Sequence, residues 1–374
     1  MATSFLEGMR VLDVSQYVPG PYATLMFADM GAEVVKVEPP GGDPMRVLGP
    51  IDSDGISAFY KVVNGGKSII RLDLKSAEGK EAFAALLRAA DVLVESYRPG
   101  VLDRLGFGRP KLRSLNPRLV HCALSGYGQT GPYRLRAAHD LNYMAMAGGL
   151  TASGTSAGPA VPGSAVDDYA SGIQAAATVL AALVGRGRTG EGAFLDVSMA
   201  ETVLAWQVNP LIEAMRGGDS FTRGKGEETG GRAWYRIYRT ADDRFVTLGI
   251  LEEKFWANFC EAVGRSDWIP RQWEPLPQEA LVAEVEALFA SRPLAHWEAL
   301  LSDVDCCYQA ILEFEEVAVD PHVSARSILA RESWPDPLLQ VLYPAWIDDA
   351  APRPRPRHQD ADAGAIVEAW SNAS

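Results

Sequence analysis

The amino-acid sequence predicts an α/β protein with a doubly wound, mainly parallel sheet, and two observations lead to this prediction. First, short apolar segments alternate with helix-like segments over the first two hundred residues, a pattern typical of a parallel sheet covered by helices on both faces. Second, 47% of the 374 residues are hydrophobic, which is enough to build packed cores in one large domain or two.

The predicted elements follow one another in the order that such a fold requires. A strand over residues 10–14 is followed by Pro19-Gly20-Pro21 and a helix over residues 22–30 that stops at Gly31, because proline suits a helix start and glycine a helix end. A long helix begins near Asp168. The other predicted strands cover 33–37, 69–72, 92–95, 119–124 and 193–197, and another helix covers 77–90.

The character of the sequence changes near Arg216, where two glycine-containing segments precede a hairpin over residues 234–238 and 244–248. Helical patterns then cover residues 252–263, 278–290 and 294–301. We therefore predict three parts: a Rossmann-like large domain over 1–215, a smaller α+β domain over 216–325, and a C-terminal strap over 326–374. The strap contains the proline-rich stretch 351–357, which favours an extended conformation, and it is expected to return to the large domain.

Charge and cysteine content exclude several classes of protein. The chain has 35 basic and 48 acidic residues, a formal net charge of −13, which argues against a nucleic-acid partner because phosphate binding requires a basic surface. Its longest apolar run covers about half the length needed to cross a bilayer, so we expect no membrane span. The four cysteines lack zinc-ligand spacing, and no metal site is expected. The N-terminus lacks the pattern of an export signal, so we expect a cytoplasmic location.

Two segments carry candidate catalytic groups, an imidazole at His139 and a carboxylate at Asp168. If they lay on opposite sides of one bound carbon, they could remove a proton from one face and return one to the other, as a racemase or epimerase does. Taken alone, His139 could equally be a surface or core histidine. Asp168 could be a helix N-cap, in competition with Asp167. The helix start would also offer free N–H groups to a developing oxyanion.

Longer motifs indicate a family. The segments 11–21, 32–38, 72–75, 93–100 and 116–120 resemble, in order and spacing, those of the class III CoA-transferase superfamily, which includes the α-methylacyl-CoA racemases. The resemblance covers nearly the whole chain and is densest from residue 8 to about residue 205. It implies an acyl-CoA substrate, with coenzyme A as part of the substrate and no prosthetic group. It also implies an interlocked homodimer, in which each active site lies between the large domain of one subunit and the small domain of the other.

The resemblance is closest to the racemase branch and assigns three catalytic residues. The run 125–132 followed by His139-Asp140-Leu141-Asn142-Tyr143 is similar to the racemases, in which the histidine is an acid/base group that transferases generally lack. Asp168 matches the catalytic aspartate of the superfamily, and Asp167 stands where a glycine is usual. Segment 249–255 resembles the racemase segment whose glutamate pairs with that histidine. This assigns the role to Glu252, although an acid at a helix start, there or at Glu253, is also common.

The resemblance further implies that coenzyme A is bound by Leu72, Lys75, Tyr97, Arg98 and Arg104. Lys67 and Arg71 are additional candidates, unless they are simply solvated surface charges. The chain departs from the racemase pattern at Pro39, where an arginine is common, and Arg46 could substitute for it. Segment 305–312 also lacks a usual proline, so its acyl specificity is expected to be unusual.

Three functions are compatible with these observations. The first is inversion of the α-carbon of a 2-methyl-branched or other 2-substituted acyl-CoA, such as one from fatty acid metabolism. The second is CoA transfer between carboxylic acids through a covalent intermediate on Asp168. The third is a non-catalytic acyl-CoA-binding protein, which the joint presence of His139, Asp168 and Glu252 disfavours. Because transferases generally lack it, His139 distinguishes the first function from the second.

Overall fold

The structure is a computed structural model that describes residues 4–219 and 221–372. The chain divides into two units. The first contains the chain up to Tyr143, the segment Ser164–Val203 and the chain from Ala318 onward, and the second contains Met144–Gly163 and Leu204–Val317. The C-terminal segment therefore belongs with the N-terminal one. The predicted domain limits after residues 215 and 325 stay a prediction.

The first unit is built on a sheet of seven parallel strands, which confirms the predicted fold class. Its strands in spatial order are β12-β3-β2-β1-β4-β5-β6, and every neighbouring pair is parallel. The strand order reverses direction between β1 and β4. The bounds are β1 (Arg10–Asp13), β2 (Glu33–Glu38), β3 (Ser68–Arg71), β4 (Val92–Glu95), β5 (Val120–Ser125), β6 (Phe194–Ser198) and β12 (Gln359–Asp360).

Helices cover both faces of this sheet. Those in or beginning in the first unit are α1 (Pro19–Asp29), α2 (Ala58–Val63), α3 (Ala77–Ala89), α4 (Val101–Arg104), α5 (Arg109–Leu115), α6 (Asp140–Met146), α7 (Val166–Thr189), α8 (Met199–Trp206), α14 (Pro321–Ala325) and α15 (Ala363–Asn372). A short 3-10 helix covers Pro44–Val47. As predicted, α1 has proline at its start and is followed by Gly31 at φ 92°, a left-handed conformation that glycine adopts without strain.

The strands are buried on both faces, as their continuous apolar runs require. Alternate residues face opposite ways: Val11 and Val94 contribute to a core with α1 and α7, whereas Leu12 and Leu93 contribute to a core with α3 and α15. This period of two follows from the pleat of the strands. The result is a three-layer arrangement that places the carboxyl ends of all strands at one edge of the sheet.

The C-terminal strap is tied to the first unit by a buried ion pair. It contains the antiparallel hairpin β10 (Leu329–Ser333) and β11 (Pro337–Val341). The Arg355 guanidinium then donates to both carboxylate oxygens of Asp29, at 2.6 and 2.8 Å, and both side chains are more than nine-tenths buried. The strap then forms β12, which extends the sheet beside β3, and continues into α15.

The second unit has its own small sheet and an aromatic core. Its antiparallel strands β7 (Tyr235–Arg239), β8 (Phe245–Gly249) and β9 (Tyr308–Ala310) lie in that order. The helices α9 (Val208–Met215), α10 (Glu253–Ala262), α11 (Glu279–Ala290), α12 (Leu294–Leu301) and α13 (Phe314–Val317), with 3-10 helices at Glu227–Thr229 and Ser266–Arg271, complete it. Its core contains Trp234, Trp256, Trp268 and Trp297. Among the described residues, no helix is long and apolar enough to span a membrane.

Candidate active site

A cavity of about 470 Å³ in the first unit contains the two predicted acid/base residues, His139 and Asp168. Its walls come from segments that follow the carboxyl ends of β1, β4, β5 and β6, including Gln16, Tyr97 and Met199. In open parallel sheets, ligands bind at this edge, where the strand order reverses. The cavity therefore lies where the topology places a binding site.

A buried ionic network fixes the loop that follows β1. Asp13 ends the strand and accepts hydrogen bonds from the Ser15 backbone N–H at 2.9 Å and from the Ser15 hydroxyl. The Ser15 carbonyl accepts from Lys36 Nζ at 2.7 Å, and Gln16 N–H donates to Ser96 Oγ at 2.9 Å. Tyr17 then takes a positive φ of 62°. This loop places the Tyr17 ring edge-on to the His139 ring, with 6.2 Å between centroids.

His139 is exposed to the cavity immediately before helix α6. Its backbone N–H donates to Asn142 Oδ1 at 3.1 Å, and its carbonyl accepts from the backbone N–H of Asn142 at 2.8 Å. The Tyr143 hydroxyl donates to the carbonyl of Ala138 at 2.9 Å. These bonds hold the main chain on both sides of His139, so its imidazole is presented from a fixed backbone.

Close packing behind this segment depends on one glycine. A Cβ atom at Gly126 would lie 2.4 Å from ring and hydroxyl atoms of Tyr143, which is far inside van der Waals contact. Burial, with Tyr127 and Asp168 nearby, raises the pKa of Tyr143 to about 12. The Tyr143 phenol is therefore neutral at physiological pH and acts as a hydrogen-bond donor.

Asp168 lies in the first turn of α7, which excludes the alternative that it is the N-cap of this helix. The N-cap residue is Ala165, which makes no side-chain capping bond. Capping is instead supplied from another segment: Asp140 Oδ1 accepts from the backbone N–H groups of Asp167 at 2.6 Å and Asp168 at 3.1 Å. Because Asp140 occupies those two donors, they are not free for an oxyanion, and that part of the expectation was wrong.

The surroundings of Asp168 favour its protonated form. Burial raises the pKa of Asp168 to about 7, and the nearby carboxylates of Asp140 and Asp167 add to the effect. A group with a pKa close to the working pH can both donate and accept a proton readily, which is the property of an efficient acid/base catalyst. The carboxyl group of Asp168 therefore has the ionisation that proton transfer at neutral pH requires.

The five residues expected to bind coenzyme A fall into three groups. Tyr97 and Arg98 follow β4 and line the cavity. Lys75 and Arg104 are exposed and are not among its lining residues. The side chain of Leu72 is buried in the core between the sheet and α3, so it could offer a ligand only main-chain atoms.

Two further candidates for coenzyme A binding were wrong. Lys67 is 1% exposed, and its ammonium group is paired with Asp13 at 3.1 Å. Arg46 is 9% exposed, and its Nε donates to Glu38 Oε2 at 2.8 Å. Both cations are used inside the fold and cannot reach an external phosphate, whereas Arg71 is exposed at the end of β3.

Glu252 belongs to the second unit. It is exposed and occupies the N-cap position of α10, without a side-chain hydrogen bond to that helix. Its carboxylate therefore does not serve as a helix cap. Its pairing with His139 stays a prediction.

Sequence reasoning missed several cavity residues, notably Arg134, Arg136 and Tyr17. The two arginines precede His139 by three and five positions, and this proximity was the available signal. With Arg98 they are three arginines that line the cavity, which suits an anionic substrate even though the whole chain is acidic. Within the described ranges, no group of three or more His, Cys, Asp or Glu side chains could hold a metal ion, and all four cysteines, each in those ranges, are free thiols.

The fold and cavity together define an α/β protein with a candidate ligand site at the carboxyl edge of a parallel sheet. The chain belongs to CoA-transferase family III, whose sequence profile matches residues 6–360. A solved structure of a CAIB/BAIF family protein from Brucella suis has the same fold, with a TM-score of 0.82, 25% identity, and coverage of 97% of this chain and 98% of that one.

Characterised relatives catalyse two kinds of reaction. The acetyl-CoA:oxalate CoA-transferase of Acetobacter aceti is 33% identical over 87% of this chain and 85% of its own length. The human α-methylacyl-CoA racemase is 32% identical over 94% of this chain and 86% of its own length. The succinyl-CoA:glutarate CoA-transferase of mouse is 30% identical over 88% of this chain and 77% of its own. The protein is thus an enzyme of the CoA-transferase and racemase superfamily, and identity alone does not separate the two reactions.

Proposed function

We propose that this protein is an acyl-CoA racemase that inverts the α-carbon of a 2-methyl-branched or other 2-substituted acyl-CoA. The observation that carries the proposal is that His139 and Asp168 line one cavity, with the pKa of Asp168 raised to about 7. Two acid/base groups around one bound carbon are the requirement for a two-base inversion.

The proposed reaction uses each group once. The imidazole of His139 takes the α-proton from one face, and the electrons of the C–H bond delocalise onto the thioester carbonyl as an enolate. Asp168, in its protonated form, then gives its carboxyl proton to the opposite face of the α-carbon, and for the other enantiomer the roles are exchanged. Each positioned acid or base typically contributes about 10²–10⁴ in rate. The guanidinium groups of Arg98, Arg134 and Arg136 on the cavity wall favour the negative charge that develops.

Glu252 would complete the site by orienting His139 and stabilising its protonated form. We propose that it does so within an interlocked homodimer. Two observations support a second copy. Helix α9 has no buried residue within its eight positions; its last residue, Met215, is 86% exposed, and Trp206 at the end of α8 is 59% exposed. Apolar surface of this kind is commonly covered by a partner, and sedimentation at several protein concentrations would test for a dimer.

A second candidate function is CoA transfer, which the relatives with that activity support. In that reaction, ionised Asp168 attacks the donor thioester, CoA leaves as the thiolate, and an acyl-aspartyl anhydride forms; the thiolate then attacks the aspartyl carbonyl, which releases the donor acid and leaves an aspartyl-CoA thioester. The acceptor carboxylate attacks that thioester and releases CoA thiolate again, and the thiolate attacks the acceptor carbonyl of the new anhydride, which forms the product thioester and frees Asp168. The raised pKa of Asp168 works against the first of these steps, because a protonated carboxyl group is a poor nucleophile.

One experiment separates the two functions. The protein is incubated with a single enantiomer of a 2-methylacyl-CoA in D₂O without an acceptor acid, and α-deuterium and enantiomer ratio are followed by mass spectrometry and chiral chromatography. Deuterium incorporation with inversion is expected. His139→Ala should abolish it, whereas the control His322→Ala, at an exposed histidine outside the cavity, should keep wild-type activity. CoA transfer to an added carboxylate with hydroxylamine-trappable Asp168, and without exchange, would contradict the proposal.

A further inference from the structure

Three carboxyl groups meet at the start of helix α7. Asp167 and Asp168 are consecutive residues of its first turn, and Asp140 reaches their backbone from a different segment. Asp167 is 0% exposed, yet the catalytic roles described above make no use of it. A buried acid beside a catalytic acid requires a reason, because its ionised form is costly to bury.

Asp140 takes the hydrogen-bond donors that would otherwise stabilise an anion at this helix start. Its Oδ1 accepts from the backbone N–H groups of both Asp167 and Asp168. The side chains of Asp167 and Asp168 are left without these amide donors. Their ionisation is disfavoured both by burial and by the charge of Asp140.

Asp167 has only partial hydrogen-bonding support. Its Oδ1 accepts from the Ser171 hydroxyl at 2.8 Å, whereas its buried Oδ2 has no hydrogen-bond partner among the described residues. Burial raises the pKa of Asp167 to about 6, with Asp140 contributing and Ser171 opposing. At neutral pH, Asp167 is therefore mainly ionised and places a second negative charge next to Asp168.

We propose that Asp167 is a positioning residue that acts through Asp168: its buried carboxylate, beside that of Asp140, keeps a proton on Asp168 at neutral pH. The proposal deepens the proposed racemase function and rests on it for its catalytic meaning. The protonated carboxyl group that Asp167 maintains on Asp168 is the form that gives a proton to the enolate. The same charge disfavours the ionised Asp168 that CoA transfer needs as a nucleophile.

Other groups around Asp168 do not remove this effect. Tyr143 and Tyr169 face it, and burial raises the pKa of both phenols, so they are neutral. The cavity wall also carries His139 and three arginines, Arg98, Arg134 and Arg136, and the positive charge of the arginines favours ionised Asp168. Despite these cations, the pKa of Asp168 lies near 7, so burial and the two carboxylates prevail.

The test is a carboxyl titration of the full-length protein by difference infrared spectroscopy, with the Asp168 band assigned by its loss in Asp168→Asn. In Asp167→Asn, which keeps the size of the side chain, the Asp168 midpoint should fall by about one pH unit, the lower end of the shifts that a neighbouring charge causes. The control Glu279→Gln removes an exposed first-turn carboxylate from α11 in the other unit and should leave the midpoint unchanged. Ser171→Ala, a milder change, should also lower the midpoint, because Asp167 then ionises less readily.

Enzyme kinetics provide the second measurement. In α-proton exchange started from one enantiomer, Asp168 is the donor and the rate falls at high pH. From the other enantiomer it is the acceptor and the rate falls at low pH. In Asp167→Asn, both the fall in rate at high pH and the fall in rate at low pH should move to lower pH. A substitution that only damaged the structure would lower the rate without moving these pH values. An unchanged Asp168 midpoint in folded Asp167→Asn would overturn the proposal. If the enzyme transfers CoA without exchange, the racemase function fails, but the infrared titration still decides the role of Asp167.

Discussion

Lys67 should be among the most important polar residues for stability, because it is a fully buried cation at the centre of a network. Its side chain is 0% exposed. Its ammonium nitrogen lies 3.1 Å from Asp13 Oδ2 and from Asn64 Oδ1, and 2.8 Å from Thr24 Oγ1 and the Pro21 carbonyl. Lys67→Met keeps an apolar chain of similar length and removes the charge, so four acceptors lose this donor.

The expected loss of stability depends on the buried charge of Asp13, which remains when Lys67 is replaced. Removing one partner of a buried ion pair typically costs about 3–5 kcal/mol, because the other charge remains buried. Burial opposes ionisation of Asp13, but Lys36, Lys67 and hydrogen bonds from Ser15 and Thr24 hold its pKa well below the ordinary value. Since Lys36 still faces Asp13 in the variant, we expect the lower end of that range, a loss of about 3 kcal/mol in the free energy of unfolding.

The assay is urea unfolding at pH 7, where Lys67 with a pKa of about 8 is mainly charged. Hydrogen exchange followed by mass spectrometry would locate the loss in β1, α1 and β3. The control Lys111→Met removes an exposed lysine from α5 and should change stability by no more than about 0.5 kcal/mol. If Lys67→Met costs no more than this control, the energetic importance that we assign to the buried network is refuted.

Three further predictions concern other parts of the first unit. Gly172→Ala would place a Cβ 2.7 Å from a carbonyl oxygen of α1 and should lower the free energy of unfolding by about 1–3 kcal/mol. Gly185→Ala, in the same helix with nothing within 4 Å of the new Cβ, should raise the free energy of unfolding by up to about 1 kcal/mol. Equal effects of the two substitutions in thermal unfolding would contradict the close packing of α7 against α1 at Gly172. Arg355→Ala should release the strap to limited proteolysis by leaving a buried carboxylate of α1 unpaired, whereas a similar release in the exposed control Arg353→Ala would show that the ion pair is not the cause. The raised pKa of Asp168 means that the folded state holds a proton there which the unfolded state releases, so the contribution of this group to stability should fall as pH rises from about 4 to about 7; in urea unfolding, the free energy of unfolding of the wild type minus that of Asp168→Asn should therefore fall over this range, and a constant difference would count against the raised pKa.

Local pattern was sufficient to predict most of the fold. The buried strands were predicted to within one or two residues because each is a short apolar run between turn residues, and α12 was predicted at its observed limits. The start of α7 was predicted two residues too late: the sequence suggested a helix from near Asp168, whereas it begins at Val166. The reason is that its cap comes from Asp140, almost thirty residues earlier in the chain, which a local pattern cannot reveal.

The candidate site likewise contains residues that local motifs identified and residues whose role depends on contacts distant in the chain. His139, Asp168, Tyr97 and Arg98 were named from motifs, and the fold brings them to one cavity. Lys67 was taken for a surface or ligand-binding charge, because sequence does not distinguish a solvated lysine from a buried one that is paired across three segments.

The sequence by itself determined the α/β architecture, the family, and the acid and imidazole on which the proposed chemistry depends, since these follow from residue types and local spacing. Only the tertiary structure decided which carboxylate caps α7, which cations are paired inside the core, and how Asp140 and Asp167 lie around Asp168. Burial and charge act between groups that are close in space but distant in the chain. The ionisation of Asp168 is therefore a property of the folded protein.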